Sequence, residues 1–565
     1  MCKLCDEGKP QDHTGPLRDS RRDFLKVSTA TAIAATGVNF LSAPAAASQA
    51  KDDPPSDSGK PGRRYIIRGG AVMTMDPSMP NKGEFAKADV LVEGKKIMAV
   101  GPNLPVAGAT QIDATGRIVM PGFIDTHHHQ FETALRSFLA DGVLITDGSG
   151  TPSGSTAYYQ YILNKFAPVY RPQDVYISEL FGGLSQLDAG VTTVHDVSQI
   201  SHSPAHSDAA IQALIDTGRR AAFGYFESAG NFGAGVPGNQ YPQDADRIYT
   251  TWFSANNLSS NGLVHMIMGG EVYLGPASTD NSWKIGRRLG LQIAAHILSP
   301  FGIRPIFDKL AAGMGGNGKI GIGPDNLFIH MTGMSDTAWQ KVKNAGAQVS
   351  LAVPIEMNMR HGMPPILRMQ NLGMEPSLSV DVECTVTADF FTQMRSCMNL
   401  QRVLVNQMIL DSPNGNQNLP DPLDWGLPQS AVTAPPPSFP YFPKPPAGIP
   451  APLTTRDVLR YATMNGAKAL RLDQKVGSLT PGKEADIIIL DATAINVAPL
   501  NQVPGAVVSL MDRTNVETVI VAGTVRKWKG RLLDVNVDKL RRDLENSRDY
   551  IFSAAGIPQN LFGDQ

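Results

Sequence analysis

The sequence predicts an α/β protein: a (β/α)8 barrel accompanied by a small composite β-sandwich built from both ends of the chain. Three observations carry this expectation. Apolar strand-length runs alternate with amphipathic helical stretches between residues 121 and 475, the pattern of parallel β/α construction. Short alternating strands precede that region and return after it. The length of 565 residues exceeds one ordinary domain and suits a barrel of about 250 residues or more with a satellite.

Composition narrows the partner. With 50 basic and 52 acidic residues the net charge is −2, so neither nucleic acid nor an anionic membrane is expected to bind. A small molecule is the expected partner, and a homo-oligomer is left open.

Residues 1–47 read as a targeting segment. Ser20-Arg21-Arg22-Asp23-Phe24-Leu25-Lys26 precedes an apolar and small-residue stretch ending near Ala45-Ala46-Ala47, which resembles a twin-arginine export signal with its cleavage site. The stretch falls short of a strongly apolar span of about 20 residues. The expected outcome is cleavage, a periplasmic or secreted product and no stable membrane association afterwards. Cys2 and Cys5 would leave with the signal, and Cys384 and Cys397 remain as free thiols or one bridge. Residues 48–63, rich in Asp, Pro, Ser, Gly and Lys, read as a flexible linker.

Residues 64–120 and 476–535 form the expected sandwich. Its strands are Tyr65-Ile66-Ile67, Ala71-Val72-Met73, Asp89-Val90-Leu91-Val92 and Ile97-Met98-Ala99-Val100, with Glu93-Gly94-Lys95-Lys96 as a tight turn. Near the other end, 485–490 and 516–523 return the same pattern, and 536–565 is a terminal helix or tail. Within the barrel, Ile177, Leu180, Phe181, Leu184 and Leu187 mark the first helix, which stops at Gly190. Strands are expected at 191–194, 221–226, 263–268, 291–295, 327–329, 349–353 and 378–380, and with the opening strand that makes eight. Two long insertions interrupt them. Residues 140–171 carry Tyr158, Tyr159 and Tyr161 and suit a lid, while proline-rich 412–452 is a cover, a subunit contact or disorder.

The opening barrel strand carries the most informative stretch, Arg117 to His129, reading RIVMPGFIDTHHH. Side chains alternate faces along a strand, so His127 and His129 point together and His128 points away. Two imidazoles on one face can grip one metal ion. Chemistry in such barrels gathers at the C-terminal ends of the strands. The strand ends here offer His195-Asp196, Glu227, Glu271, His296, His330, Glu356 and Asp381 besides the first pair. His202, His206, His265 and His361 lack that register and read as solvated or packed histidines.

PGFIDTHHH resembles the first-strand signature of the amidohydrolase superfamily, Pro-Gly-hydrophobic-hydrophobic-Asp-x-His-x-His. The resemblance runs from about Tyr65 to Gly530, and YATMNGAKALRLDQKVGSLTPGKEADIIILD, from Tyr461 to Asp491, is its longest specific match. It is nearest the cytosine deaminase and triazine hydrolase branch. It implies metal ligands on strands one, five, six and eight, here His127, His129, His296, His330 and Asp381. It also implies a divalent metal, zinc first with iron or manganese as alternatives, and one ion in preference to two. Such an ion lowers the pKa of bound water to about 7 and supplies hydroxide that attacks an sp2 carbon. Asp381 can then move the proton to the leaving group, while His330 polarises the scissile group or ligates a second metal.

The chain departs from that branch after strand five, where the family has His-x-x-Glu and this sequence has His296-Ile297-Leu298-Ser299. A serine cannot serve as that acid or base near pH 7. Glu271, Glu227 and Glu356 are the candidates for an additional ligand or the missing acid/base. The expected function is an exported metal-dependent hydrolase of C–N bonds other than peptide bonds, first an aminohydrolase of the deaminase type on a heterocycle. An amide or lactam hydrolase is the second reading, and a catalytically inactive barrel acting as a binding protein is the third.

Overall fold

The computed structural model describes residues 53–105, 108–149, 156–229, 241–253, 256–301, 304, 307–308, 321–410 and 445–562. The export segment expected at 1–47 and most of the proline-rich insertion expected at 412–452 lie outside the described residues. No helix among the described residues is long and apolar enough to cross a membrane.

Eight parallel strands pair in chain order. They are Phe123–His128, Val191–Ser198, Arg220–Tyr225, Val264–Gly269, Ile293–Leu298, Asn326–Thr332, Gln348–Leu351 and Ser377–Leu378. Their two-residue side-chain period explains the packing. Ile124, Ala222, Ile267 and Ala294 fill the interior, while their neighbours Phe123, Ala221, Met266 and Ala295 pack outward against the helices. The eighth strand is the shortest and closes the barrel by a seam of backbone bonds. His129 N–H donates to the Asp381 carbonyl at 2.8 Å, and Asp381 N–H donates to the His127 carbonyl at 3.0 Å.

Local sequence accounts for the helices. The first, Pro172–Asp188, begins with proline at its first position and with Asp174 accepting the Arg171 N–H at 2.9 Å. It ends ahead of Gly190, whose φ of +87° is open to glycine. After the sixth strand, Ser335 Oγ accepts the Ala338 N–H at 3.1 Å and caps helix Asp336–Ala345, a contact worth about 1 kcal/mol. The terminal helix Val537–Ala555 packs on the first one, where Ser547 Oγ donates to Asp174 at 2.7 Å.

The two chain ends meet in one nine-stranded sheet. Its central join is antiparallel, Arg117–Pro121 with Ile487–Asp491, so residues more than 360 apart in sequence share one ladder. Flanking strands are Arg64–Met73, Glu84–Glu93 and Lys96–Gly101 on one side and Val516–Val521, Thr524–Trp528 and Arg531–Leu532 on the other. Thr110–Asp113 pairs with Arg64–Met73.

Arg220, at the start of the third barrel strand, ties that sheet to the barrel. The residue is 1% exposed, and its guanidinium donates to Asp486 at 3.0 and 3.1 Å and to Glu484 at 2.8 Å. Asp486 in turn accepts the Ala522 N–H at 2.7 Å. This junction lies at the N-terminal end of the strand, opposite the mouth, where residues serve stability.

Candidate metal centre and active site

The Pro121-Gly122 break lets the first strand approach the second closely: a Cβ at Gly122 would lie 2.2 Å from Thr192 Cγ2. From there the alternation carries His127 and His129 to the mouth and turns His128 away. His128 is buried between Asp125 and Glu383, 3.9 Å from each. Asp125 accepts the backbone N–H groups of His127 and Val380, both at 3.2 Å, and a hydrogen bond from Gln186 at 2.7 Å. It fixes strands one and eight side by side.

The fold brings His127, His129, His296, His330 and Asp381 together at the C-terminal mouth. The His127 ring lies 4.7 Å from His129, 4.8 Å from His296 and 5.5 Å from His330, centre to centre. Asp381 Oδ1 is 3.0 Å from His127 Nε2 and 3.7 Å from His129 Nε2, and Oδ2 is 3.5 Å from His330 Nε2. His330 and Asp381 have φ of +70° and +71°. For residues other than glycine this left-handed conformation stores strain, and such strain gathers at functional sites.

Glu271 and Glu356 each address one of these histidines. Glu271 engages Nδ1 of His296 and accepts its backbone N–H at 2.9 Å. Glu356, on the short helix Val353–Asn358, sits 3.0 Å from Nδ1 of His330 and accepts the Ala352 N–H at 3.0 Å. A carboxylate on one ring nitrogen fixes the imidazole's tautomer and raises the basicity of the other. Glu271→Gln is therefore expected to weaken zinc affinity by about 10- to 100-fold. Competition with a chromogenic chelator measures it, and unchanged affinity would remove this orienting role.

Glu227 lies further out, accepting from Tyr273 Oη and, at 3.2 Å, from Gln199. His195 Nδ1 contacts the Thr126 carbonyl at 2.9 Å. Asp196 is fully buried with both oxygens unpartnered. His361, which the sequence leaves as a solvated or packed histidine, stands at the site. It is 4% exposed, lines the mouth and stands 4.8 Å from the His330 ring, and neither of its nitrogens has a hydrogen-bond partner.

Burial, reinforced by the neighbouring imidazoles, pushes His127 and His129 well below the ordinary histidine value. Burial likewise takes His296 down to about 4. These rings are neutral at pH 7, with lone pairs available as ligands. Burial pushes Glu271 up, against the pull of the His296 N–H, and raises Glu227 to about 8, with the nearby Glu271 charge adding to it.

The donor set fits a divalent metal ion. Ligand atoms of His127, His296 and His330, of His127, His129 and Asp381, and of His330, His361 and Asp381 each lie within 4.8 Å of one another. Nδ1 of His127 and of His129 and Oδ2 of Asp381 are buried without hydrogen-bond partners, which is costly unless a ligand satisfies such groups. Imidazole nitrogen with one carboxylate suits zinc.

A cavity of about 200 Å3 opens onto these groups. Its walls are largely apolar: Leu144, Tyr158, Tyr159 and Leu163 from the 140–171 segment face Leu298, Ile355, Met359 and Val382. Tyr158 Oη donates to the buried Glu132 at 2.5 Å, which holds the ring in place. Of the two tyrosines that follow, Tyr159 reaches the cavity, whereas Tyr161 packs on Phe138. Cys384 and Cys397 are buried free thiols.

Comparison with known proteins finds relatives along most of the chain and solved structures of the same fold. The Amidohydrolase family profile matches residues 450–526, the stretch that closes the sheet, away from the histidines. The chain is 24% identical over 497 residues to a 5'-deoxyadenosine deaminase of Methanosarcina mazei, spanning 86% of this chain and 97% of that one. It is 24% identical over 459 residues to a 5-methylthioadenosine/S-adenosylhomocysteine deaminase of Symbiobacterium thermophilum, spanning 78% and 88%. Two solved structures share the fold. A zinc-bound adenosine deaminase from Xanthomonas campestris superposes with a TM-score of 0.65 at 18% identity, covering 87% of this chain and all of that one, 100%. Zinc-complexed atrazine chlorohydrolase from Arthrobacter aurescens gives 0.65 at 18%, covering 86% and 100%.

Proposed function

We infer that this chain belongs to the amidohydrolase superfamily and is a metal-dependent hydrolase of C–N bonds, a hydrolytic deaminase acting on a heterocyclic amine. The observation that carries the reading is the convergence of four histidines and one aspartate at the barrel mouth, beside an apolar cavity. The curated relatives named as deaminases of adenosine derivatives support the reaction type.

A divalent ion held by His127, His129, His296 and Asp381 would activate water and polarise the ring carbon. Around it, the chain's own residues orient and move protons. Glu271 fixes His296 and Glu356 fixes His330. Asp381 Oδ2, unpartnered and facing His330, takes the proton from the attacking water and returns it to the leaving amine. His330 then donates toward the substrate atom on which charge develops. The walls built from Tyr158, Tyr159, Leu298 and Met359 hold a flat apolar ring and exclude water.

Ser299, where the related branch has an acidic shuttle, favours one second reading, an amide or lactam hydrolase of the same superfamily. Ammonia release decides between them. A panel of adenosine, 5'-deoxyadenosine, 5-methylthioadenosine and aminotriazines is expected to include a substrate that yields one ammonia per turnover. Hydrolysis of amides and lactams with no ammonia from any ring amine would replace the deaminase reading. The same proposal includes export of the folded enzyme through the twin-arginine route, a place near the triazine hydrolase branch, and a nine-stranded sheet that packs as a two-layered sandwich.

A further inference from the structure

The donors at the mouth outnumber what one ion at the first-strand histidines can use. Ligand atoms of His361, His330 and Asp381 lie within 4.8 Å of one another, and among the described residues no such trio joins His361 to His127, His129 or His296. It arrives from the segment after helix Val353–Asn358 rather than from a barrel strand, and the hydrogen bond from Thr332 Oγ1 to its carbonyl, 2.6 Å, pins its backbone. Both ring nitrogens are buried and unpartnered although the ring lines the cavity. An imidazole buried in this way is costly unless something accepts its lone pair or its N–H.

Asp381 presents its two oxygens to different neighbours. Oδ1 faces His127 and His129, at 3.0 and 3.7 Å, while Oδ2 faces His330 at 3.5 Å and has no hydrogen-bond partner. A carboxylate so oriented can bridge two cations, one oxygen to each. On the Oδ2 side, His330 has Glu356 on its Nδ1, the carboxylate–histidine pairing that prepares the other nitrogen as a metal ligand.

We propose that His330, His361 and Asp381 Oδ2 form a second divalent-cation site, next to the ion held by His127, His129 and His296 and sharing Asp381 with it. Two imidazoles and one carboxylate oxygen leave an open position, a set that suits zinc, and adjoining ions in such pairs lie about 3.5–4 Å apart. The inference rests on the hydrolase reading in one respect. The second ion takes Oδ2, the oxygen to which that reading gives the proton transfer. Occupation of the second site and proton transfer by Asp381 then exclude one another, so the second ion is inhibitory.

The test is zinc binding by the mature protein, measured by equilibrium dialysis with elemental analysis while turnover of the best substrate is followed in the same samples. His361→Ala is compared with His361→Gln, which keeps much of the side-chain volume. Two zinc ions per wild-type chain are expected, the first raising turnover and the second lowering it. Each variant is expected to bind one and to stay active in excess zinc. One ion per wild-type chain at saturating zinc would overturn the site and leave the hydrolase reading standing. So would two ions in both variants, or undiminished turnover with both wild-type sites filled. Wild-type stoichiometry decides the matter even if both variants fail to fold, and anomalous scattering from a zinc-loaded crystal locates the second peak beside His361 or elsewhere.

Discussion

Asp381→Asn is expected to abolish hydrolysis, lowering kcat by about a thousandfold or more, while the protein still folds. The loss has two sources. Asparagine cannot take a proton near pH 7, and general acid–base catalysis alone contributes about 10^2- to 10^4-fold. The amide also replaces an anionic oxygen 3.0 Å from His127 by a neutral one, which weakens the hold on the ion. Folding survives for a reason specific to this position. Asp381 has φ of +71°, and asparagine is one of the few other residues that tolerates the left-handed region. Its backbone bonds to His127 and His129, which close the barrel, need no carboxylate. Turnover within tenfold of the wild type, in a variant with unchanged circular dichroism, would remove Asp381 from the mechanism.

Arg220→Ala is expected to have the largest effect on stability, about 3–5 kcal/mol, the cost of leaving buried charges without their partner. Asp486 is 4% exposed and loses both hydrogen bonds from the guanidinium. It also anchors the Ala522 N–H and, through its carbonyl, the Gly122 N–H. The damage therefore reaches the last strands of the sheet and the entry to the first barrel strand together. Urea unfolding measures it. A loss below about 1 kcal/mol would mean that the pair is no stronger than an exposed one.

Much of the barrel was legible because buried parallel strands are nearly continuous apolar runs. The expected 191–194 and 327–329 fall inside Val191–Ser198 and Asn326–Thr332. The runs mark where a strand begins better than where it ends, since the polar residues at the mouth that extend it interrupt the apolar signal. The eighth strand shows the opposite error. Expected at 378–380, it is Ser377–Leu378; at Val380 the N–H donates to the Asp125 carboxylate instead of a neighbouring strand.

For the site, His127, His129, His296, His330 and Asp381 stood at strand ends, and strand ends in a barrel meet. Glu271 and Glu356 were visible as acidic groups near the mouth, but only the third dimension turns their carboxylates onto Nδ1 of His296 and His330. His361 was set aside as a solvated or packed histidine for a different reason. It sits in a connection beyond a short helix, between Arg360 and Gly362, and neither strand nor helix periodicity reaches it. The one available sign was a histidine in a segment otherwise rich in methionine and proline, HGMPP, which is weak.

The seam between the first and eighth strands gives the ligands a second task. His127, His129 and Asp381 are joined backbone to backbone where the barrel closes, so the act that completes the cylinder also assembles the first donors. Closing the barrel and preparing the metal site are then coupled, and an ion that prefers the closed form would stabilise it. On the export route proposed above, which carries proteins already folded, the cylinder would close before the membrane is crossed. The ion would then be drawn from the metals of the cytoplasm, whatever the compartment in which the enzyme works offers.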